Sequence, residues 1–147
     1  MSGTTSLTAN RDFVVIDTEG KRILKEIAIV DRTGKLIYEA FNQEHPSYVG
    51  HILHSLPLQS ILLDFIEITR DKRLVFHNAW HDLNVLQTSF DRINLSWVNF
   101  TQIDCTYKLA QQHFPHFQAY SLEYLAKKLN LKVKGHRYTA LKRRCLR

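Results

Sequence analysis

Asp17 and Glu19 stand two positions apart at the end of the apolar run Phe13-Val14-Val15-Ile16. In an extended chain that spacing puts both carboxylates on one face, and the apolar run before them makes burial of such charges costly without a partner. Two hard carboxylates converging at a strand end suit Mg²⁺ or Mn²⁺, which take oxygen ligands and leave positions open for phosphate. Read alone, the pair fits a solvated turn equally well.

A second group follows in Phe76-His77-Asn78-Ala79-Trp80-His81-Asp82. A strand ends in polar His-Asn and a helix begins, with Asp82 in its first turn. That puts Asp82 at the C-terminal edge of a strand, where open α/β sheets bind ligands. An acid in a first helical turn also complements the helix macrodipole without further purpose. His77 and His81 are four apart, a zinc-type spacing, but no third ligand stands near them in sequence.

The elements that must position these residues can be traced along the chain. Phe13 to Ile16 is apolar at consecutive positions, as a strand covered on both faces should be. A second strand is expected over Leu24 to Val30, with Ile27 and Ile29 alternating against Glu26 and Ala28. Asp31-Arg32-Thr33-Gly34 then turns the chain, with Gly34 supplying positive φ, and Leu36 to Phe41 returns. Leu58, Ile61, Leu62, Phe65 and Ile66 recur at helical spacing in a helix ending before Asp71. A short strand, Arg73 to Phe76, precedes a helix over Trp80 to Phe90 with Leu83, Leu86 and Phe90 on one stripe. Val98 to Ile103 reads as a further strand. Asp104 is expected to cap a helix carrying Tyr107, Leu109 and Ala110, which stops before Pro115. Ser121 caps the helix Leu122 to Leu129, and the segment from His136 onward is helix-compatible. The order predicts an α/β protein: a mixed five-stranded sheet, three antiparallel strands then two reached by helical crossovers, flanked by helices.

The chain has 147 residues, enough for one domain with a real core. We expect a flexible N-terminal segment over 1–10 and a single domain over 11–147. Hydrophobic residues make up 44% and charged residues 23%, ordinary usage for a soluble protein. Cys105 and Cys145 form neither a disulfide framework nor a metal-type C-x-x-C pair, so a reducing compartment is expected, with Cys105 a small buried apolar residue. The start, Met1 to Asn10, lacks a signal-peptide pattern, and no apolar run reaches the roughly 20 residues of a membrane span. The expectation is a cytoplasmic location with no membrane association. The net charge of +6 and pI near 9.4 favour contact with a polyanion. Much of that excess lies in the last third, where a solvated basic tail would look the same.

Taken together and in order, these stretches resemble the DEDD superfamily of 3′–5′ exonucleases, histidine subgroup, the group that contains polymerase proofreading domains and RNase T. The resemblance rests on Asp17-Thr18-Glu19-Gly20 for the D-x-E motif and Glu26-Ile27-Ala28-Ile29-Val30 for E-I-(A/G)-x-V. His77 to Asp82 matches H-N-A-x-F-D, with His81 where phenylalanine is usual. Asp104-Cys105-Thr106 matches the D-T helix start, and Ser121 to Ala126 matches S-L-x-x-L-A. It spans residues 12 to 136 and implies the RNase H-like fold, with a two-metal site hydrolysing phosphodiester bonds from the 3′ end of single-stranded DNA or RNA. On that resemblance Asp17, Glu19 and Asp82 are catalytic and hold Mg²⁺ or Mn²⁺, and His136 is the general base. Thr18, Gly20, His77, Asn78 and Arg137 contact the substrate.

The third motif departs from the family pattern. H-x-A-x-x-D starts at Gly135-His136-Arg137, yet the acid's place is taken by Leu141 and the alanine's by Tyr138; no carboxylate follows Glu123. Replacing an acid by Leu141 removes a direct metal ligand, and nearby Lys142 and Arg143 oppose metal binding. Three readings follow: an exonuclease with an impaired site, a nucleic-acid-binding module that has kept the fold, or a truncated product that is either unstable or completes its site in an oligomer.

Overall fold

In the computed structural model, which describes residues 12–97 and 102–131, the uninterrupted apolar stretch of the first strand lies in the middle of a sheet. Strand β1 (Phe13–Glu19) pairs antiparallel with β2 (Glu26–Asp31), and β2 antiparallel with β3 (Leu36–Asn42). On its other side β1 pairs parallel with β5 (Arg73–Phe76), and β5 parallel with β6 (Ile103–Cys105). The two-residue strand β4 (Ser55–Leu56) adds to β3 in parallel, so the order is β4-β3-β2-β1-β5-β6. This is a mixed α/β architecture compatible with the RNase H-like fold. The sheet has six strands rather than the expected five, because β4 is too short to carry a side-chain pattern. The expected segment over 1–10, the strand residues 98–101 and everything from 132 onward lie outside the described residues.

Two helices build the core. Helix α1 (Leu58–Thr69) buries Leu58, Ile61, Leu62 and Phe65, and α2 (Ala79–Arg92) buries Val85, Leu86 and Phe90. These meet Val14 and Ile16 of β1, Ile27 and Ile29 of β2, and Leu74 and Phe76 of β5 in one cluster. Phe65, Phe90 and Trp97 close it, Phe90 and Trp97 stacking at 5.2 Å between centroids. Each fully buried large apolar side chain contributes roughly 1.5–3 kcal/mol. Helix α1 begins without a capping side chain of its own; the Glu44 carboxylate, from the loop after β3, accepts the Leu58 N–H at 2.9 Å.

The hairpin between β2 and β3 is built as expected. Asp31 Oδ1 accepts from the Thr33 hydroxyl and N–H and from the Lys35 N–H, and Gly34 takes φ 88°. The Thr33 hydroxyl, with the Lys35 N–H, holds the Asp31 carboxyl below the usual carboxylate range. Helices α3 (Thr106–His113) and α4 (Leu122–Lys128) complete the described chain. Ser121 caps α4 by accepting the Tyr124 N–H at 3.1 Å.

Four expectations change. Strand β2 starts at Glu26, not Leu24, because the Leu24 backbone bonds to side chains instead of a ladder. All of Glu26 to Val30 is buried, so β2 is covered on both faces rather than alternating. Asp104 does not cap α3: it lies in β6 and its carboxylate pairs with Arg73, leaving Cys105 at the cap position. Cys105 itself is half-buried, not buried. Burial pushes its thiol up, but N–H groups of Ala79, Lys108, Asn78 and Tyr107 outweigh that and lower it below the usual thiol range.

Candidate functional site

Parallel pairing of β1 with β5 sends both strands to the same sheet edge. Asp17, Thr18 and Glu19 end β1 there, and the chain leaving β5 passes through His77 and Asn78 into α2. Asn78 takes a left-handed conformation, φ 63° and ψ 60°, which asparagine tolerates better than most residues. This sharp turn starts α2 directly beside β1. As a result Asp82, fully buried in the first turn of α2, reaches back to β1. Its Oδ1 accepts the Thr18 hydroxyl at 2.5 Å and the Thr18 N–H at 3.2 Å. Residues 64 apart in sequence are thereby joined, with Thr18 standing between Asp17 and Glu19.

Asp17 is 5% exposed and Thr18 is fully buried, so the end of β1 is an interior acidic position rather than a solvated turn. The oxygen chemistry of Asp17 and Glu19 fits a hard divalent cation. Among the described residues, however, no group of three or more His, Cys, Asp or Glu is arranged to hold a metal ion. The zinc spacing of His77 and His81 is not realised as a pair on a helix face, because His77 precedes α2. The His77 ring instead bonds through Nδ1 to Thr106 Oγ1 at 2.8 Å and packs edge-on against Tyr107. Since the Thr106 hydroxyl donates to the Phe76 carbonyl at 3.1 Å, it accepts from His77, which fixes the tautomer with the proton on Nδ1.

Gly20 has φ 142°, and a Cβ there would collide with the Ile23 carbonyl. The conformation is therefore required by the loop that leaves β1. Asn78 is exposed at the mouth of α2. His136 and Arg137 lie outside the described residues, as do Tyr138 and Leu141.

Sequence reasoning missed Asn42 and Ser89, both fully buried. Asn42 Nδ2 donates to the Leu24 carbonyl at 2.8 Å, and Ser89 Oγ accepts the Leu24 N–H at 2.9 Å. The Lys25 N–H donates to the Glu19 carbonyl and the Lys25 carbonyl accepts from the Asn42 N–H. Together these lock the loop from Gly20 to Lys25. No local motif announces them; the only signal is a polar residue inside an apolar stripe of α2.

The fold is thus an α/β protein with a mixed sheet, whose central strand β1 carries acids at its C-terminal end, the edge at which open α/β sheets tend to bind ligands. No family model matches the chain. It is similar to the DNA polymerase III PolC-type protein of Listeria innocua, 32% identical over 80 residues, which is 54% of this chain and 6% of that protein. It is also similar to the PolC-type protein of Streptococcus pneumoniae, 28% identical over 86 residues, 58% of this chain and 6% of that protein. The aligned stretch is thus a small fraction of the curated relatives it matches. No helix among the described residues is long and apolar enough to cross a membrane.

Proposed function

We propose that this chain is a metal-dependent 3′–5′ exonuclease acting on single-stranded nucleic acid, with a site weakened by the missing acid at Leu141. The observation that carries the reading is the bonding of Asp82 to Thr18, which draws the second acidic motif onto the first. Partial similarity to DNA polymerases supports a nuclease-type role. Asp17 and Glu19 would hold Mg²⁺ or Mn²⁺, with Asp82 acting directly or through water. When bound, such ions neutralise the scissile phosphate and lower the pKa of water. His136 would take the proton of the attacking water. Gly20, His77, Asn78 and Arg137 would contact the terminal nucleotide, while Thr18, fully buried and bonded to Asp82, would position that acid instead. A second reading, a non-catalytic nucleic-acid-binding module, is favoured by Leu141 standing in the acid's place beside Lys142 and Arg143.

Gel-resolved degradation of 3′- and 5′-labelled single-stranded DNA and RNA in Mn²⁺, Mg²⁺ or EDTA separates the two. The exonuclease reading expects metal-dependent laddering from the 3′ end that Asp17→Ala reduces at least about 100-fold, the scale of removing one group that stabilises the transition state. Binding that survives in EDTA without any cleavage would leave the binding module.

A further inference from the structure

Beyond Glu19 the locked loop opens into a cavity of about 770 Å³, within the range of small-ligand sites. Its basic lining comes from three elements: the cations Lys21, Arg22 and Lys25 on the loop and Arg92 on α2, with the imidazoles of His45 after β3 and His81 on α2 beside them. Among the described residues Lys21, Arg22, Lys25 and Arg92 enter no ion pair. Of the two carboxylates in the lining, Glu44 is engaged by the N-terminus of α1 and Glu19 belongs to the acidic edge. Among the described residues the lining thus sets four cationic side chains against two carboxylates, with none of the four in an ion pair.

The shape adds to the charge. His81 and Arg92 are eleven residues apart on α2, close to three full turns, so they share a face about 16 Å apart along the axis. A single phosphate does not span that length; a strand with phosphates at successive positions does. The loop cations also sit on a backbone already fixed by Asn42, Ser89 and Gly20, which lowers the ordering cost of binding.

We propose that this groove binds the phosphate backbone of a single-stranded nucleic acid laid along α2 and ending toward Glu19. The proposal rests on the nucleic-acid reading above but not on turnover. The test is fluorescence anisotropy of a labelled short oligothymidylate with the full chain in EDTA, comparing wild type with Arg22→Glu/Arg92→Glu. Lys35→Glu/Lys72→Glu, at the opposite sheet edge, matches the change in net charge. The groove variant should bind at least about tenfold more weakly, with the slope of log affinity against log salt reduced by about 1.4 for two lost strand phosphates. The control pair should change binding less than about threefold by the same reasoning on distant, screened charges. Arg22→Lys/Arg92→Lys keeps most of the affinity if charge is what matters, and serves if the reversals do not fold.

Equal losses in both charge-reversed pairs, or none in the groove pair, overturn the proposal. Displacement by thymidine 5′-monophosphate or inorganic phosphate at concentrations no higher than the oligomer would overturn a strand as the occupant. Cleavage separates this result from the nuclease reading: a protein that binds through the groove but never cleaves removes that reading and leaves the groove. One that cleaves while the groove pair binds like wild type removes the groove alone.

Discussion

The end of β1 and the loop that follows it are adjacent in sequence and treat charge in opposite ways. Asp17 and Asp82 are buried, and Asp82 is held by two donors from one residue, Thr18. Lys21 and Arg22, two and three positions beyond Glu19, stay exposed and enter no ion pair among the described residues, while the backbone beneath them is tied by buried Asn42 and Ser89. A buried charge has to be satisfied where it sits. An exposed charge needs only a fixed platform to be useful to a ligand. Acidic and basic regions of one candidate site thus draw on different parts of the chain for their support.

The largest break in this comparison should come from Asp82→Ala, which leaves the Thr18 hydroxyl and N–H buried without their acceptor. A loss of about 3 kcal/mol is expected, the upper end for unsatisfied buried groups, read as a shift of the urea midpoint at unchanged slope. Asp82→Asn keeps an acceptor oxygen and should lose less. If Asp82→Ala is as stable as wild type, the tie between β1 and α2 carries no energy.

Thr18→Val is the next step down, because only the hydroxyl bond is lost and the N–H bond remains. About 1.5–3 kcal/mol is expected for a bond to a charged group. Combined with Asp82→Ala the effects should be clearly less than additive, since the two residues share one interaction. Additivity in that cycle would mean that each residue is held by something else.

How far the sequence led is visible in the same two regions. The apolar run ending in Asp17-Thr18-Glu19 was readable as a strand from its β-branched residues, although burial there alternates, Val14 and Ile16 buried and Phe13 and Val15 only half-buried, and Asp82 was readable because a helix start is locally encoded. Gly34 and the Ser121 cap were readable for the same local reason. Leu24 was not, because its apolar side chain looks like strand while its backbone is claimed by Asn42, 18 residues away, and Ser89, 65 residues away. Asp104 looked like a cap until Arg73, 31 residues away, took its carboxylate. The two-residue β4 has no pattern to read. What escaped is what depends on long-range polar bonds, including the platform under the basic loop.

That platform can be weakened without touching any charge. Ser89→Ala removes the acceptor of the Leu24 N–H and should cost about 1–2 kcal/mol. If fixed presentation of Lys21 and Arg22 matters, oligomer affinity in EDTA should fall a few-fold at a temperature where the variant is fully folded, with the salt slope unchanged. A change in slope would instead mean that the set of contacting charges had altered.

The smallest effect concerns the field inside the groove. Burial, and then the positive charge of Lys25, hold the His45 imidazole below its ordinary range. Nδ1 of His45 already accepts the Ser47 N–H at 3.1 Å, so the neutral ring is the form the folded chain prefers. Because the folded value is depressed, the unfolded chain binds the extra proton first, and stability falls as pH drops below about 6.5. Lys25→Met removes one of the two causes, so the His45 titration followed by NMR should move upward, and part of that acid sensitivity should disappear. An unchanged titration would mean that Lys25 does not project its charge into the groove, and would weaken its assignment as one of the cations that meet a strand there.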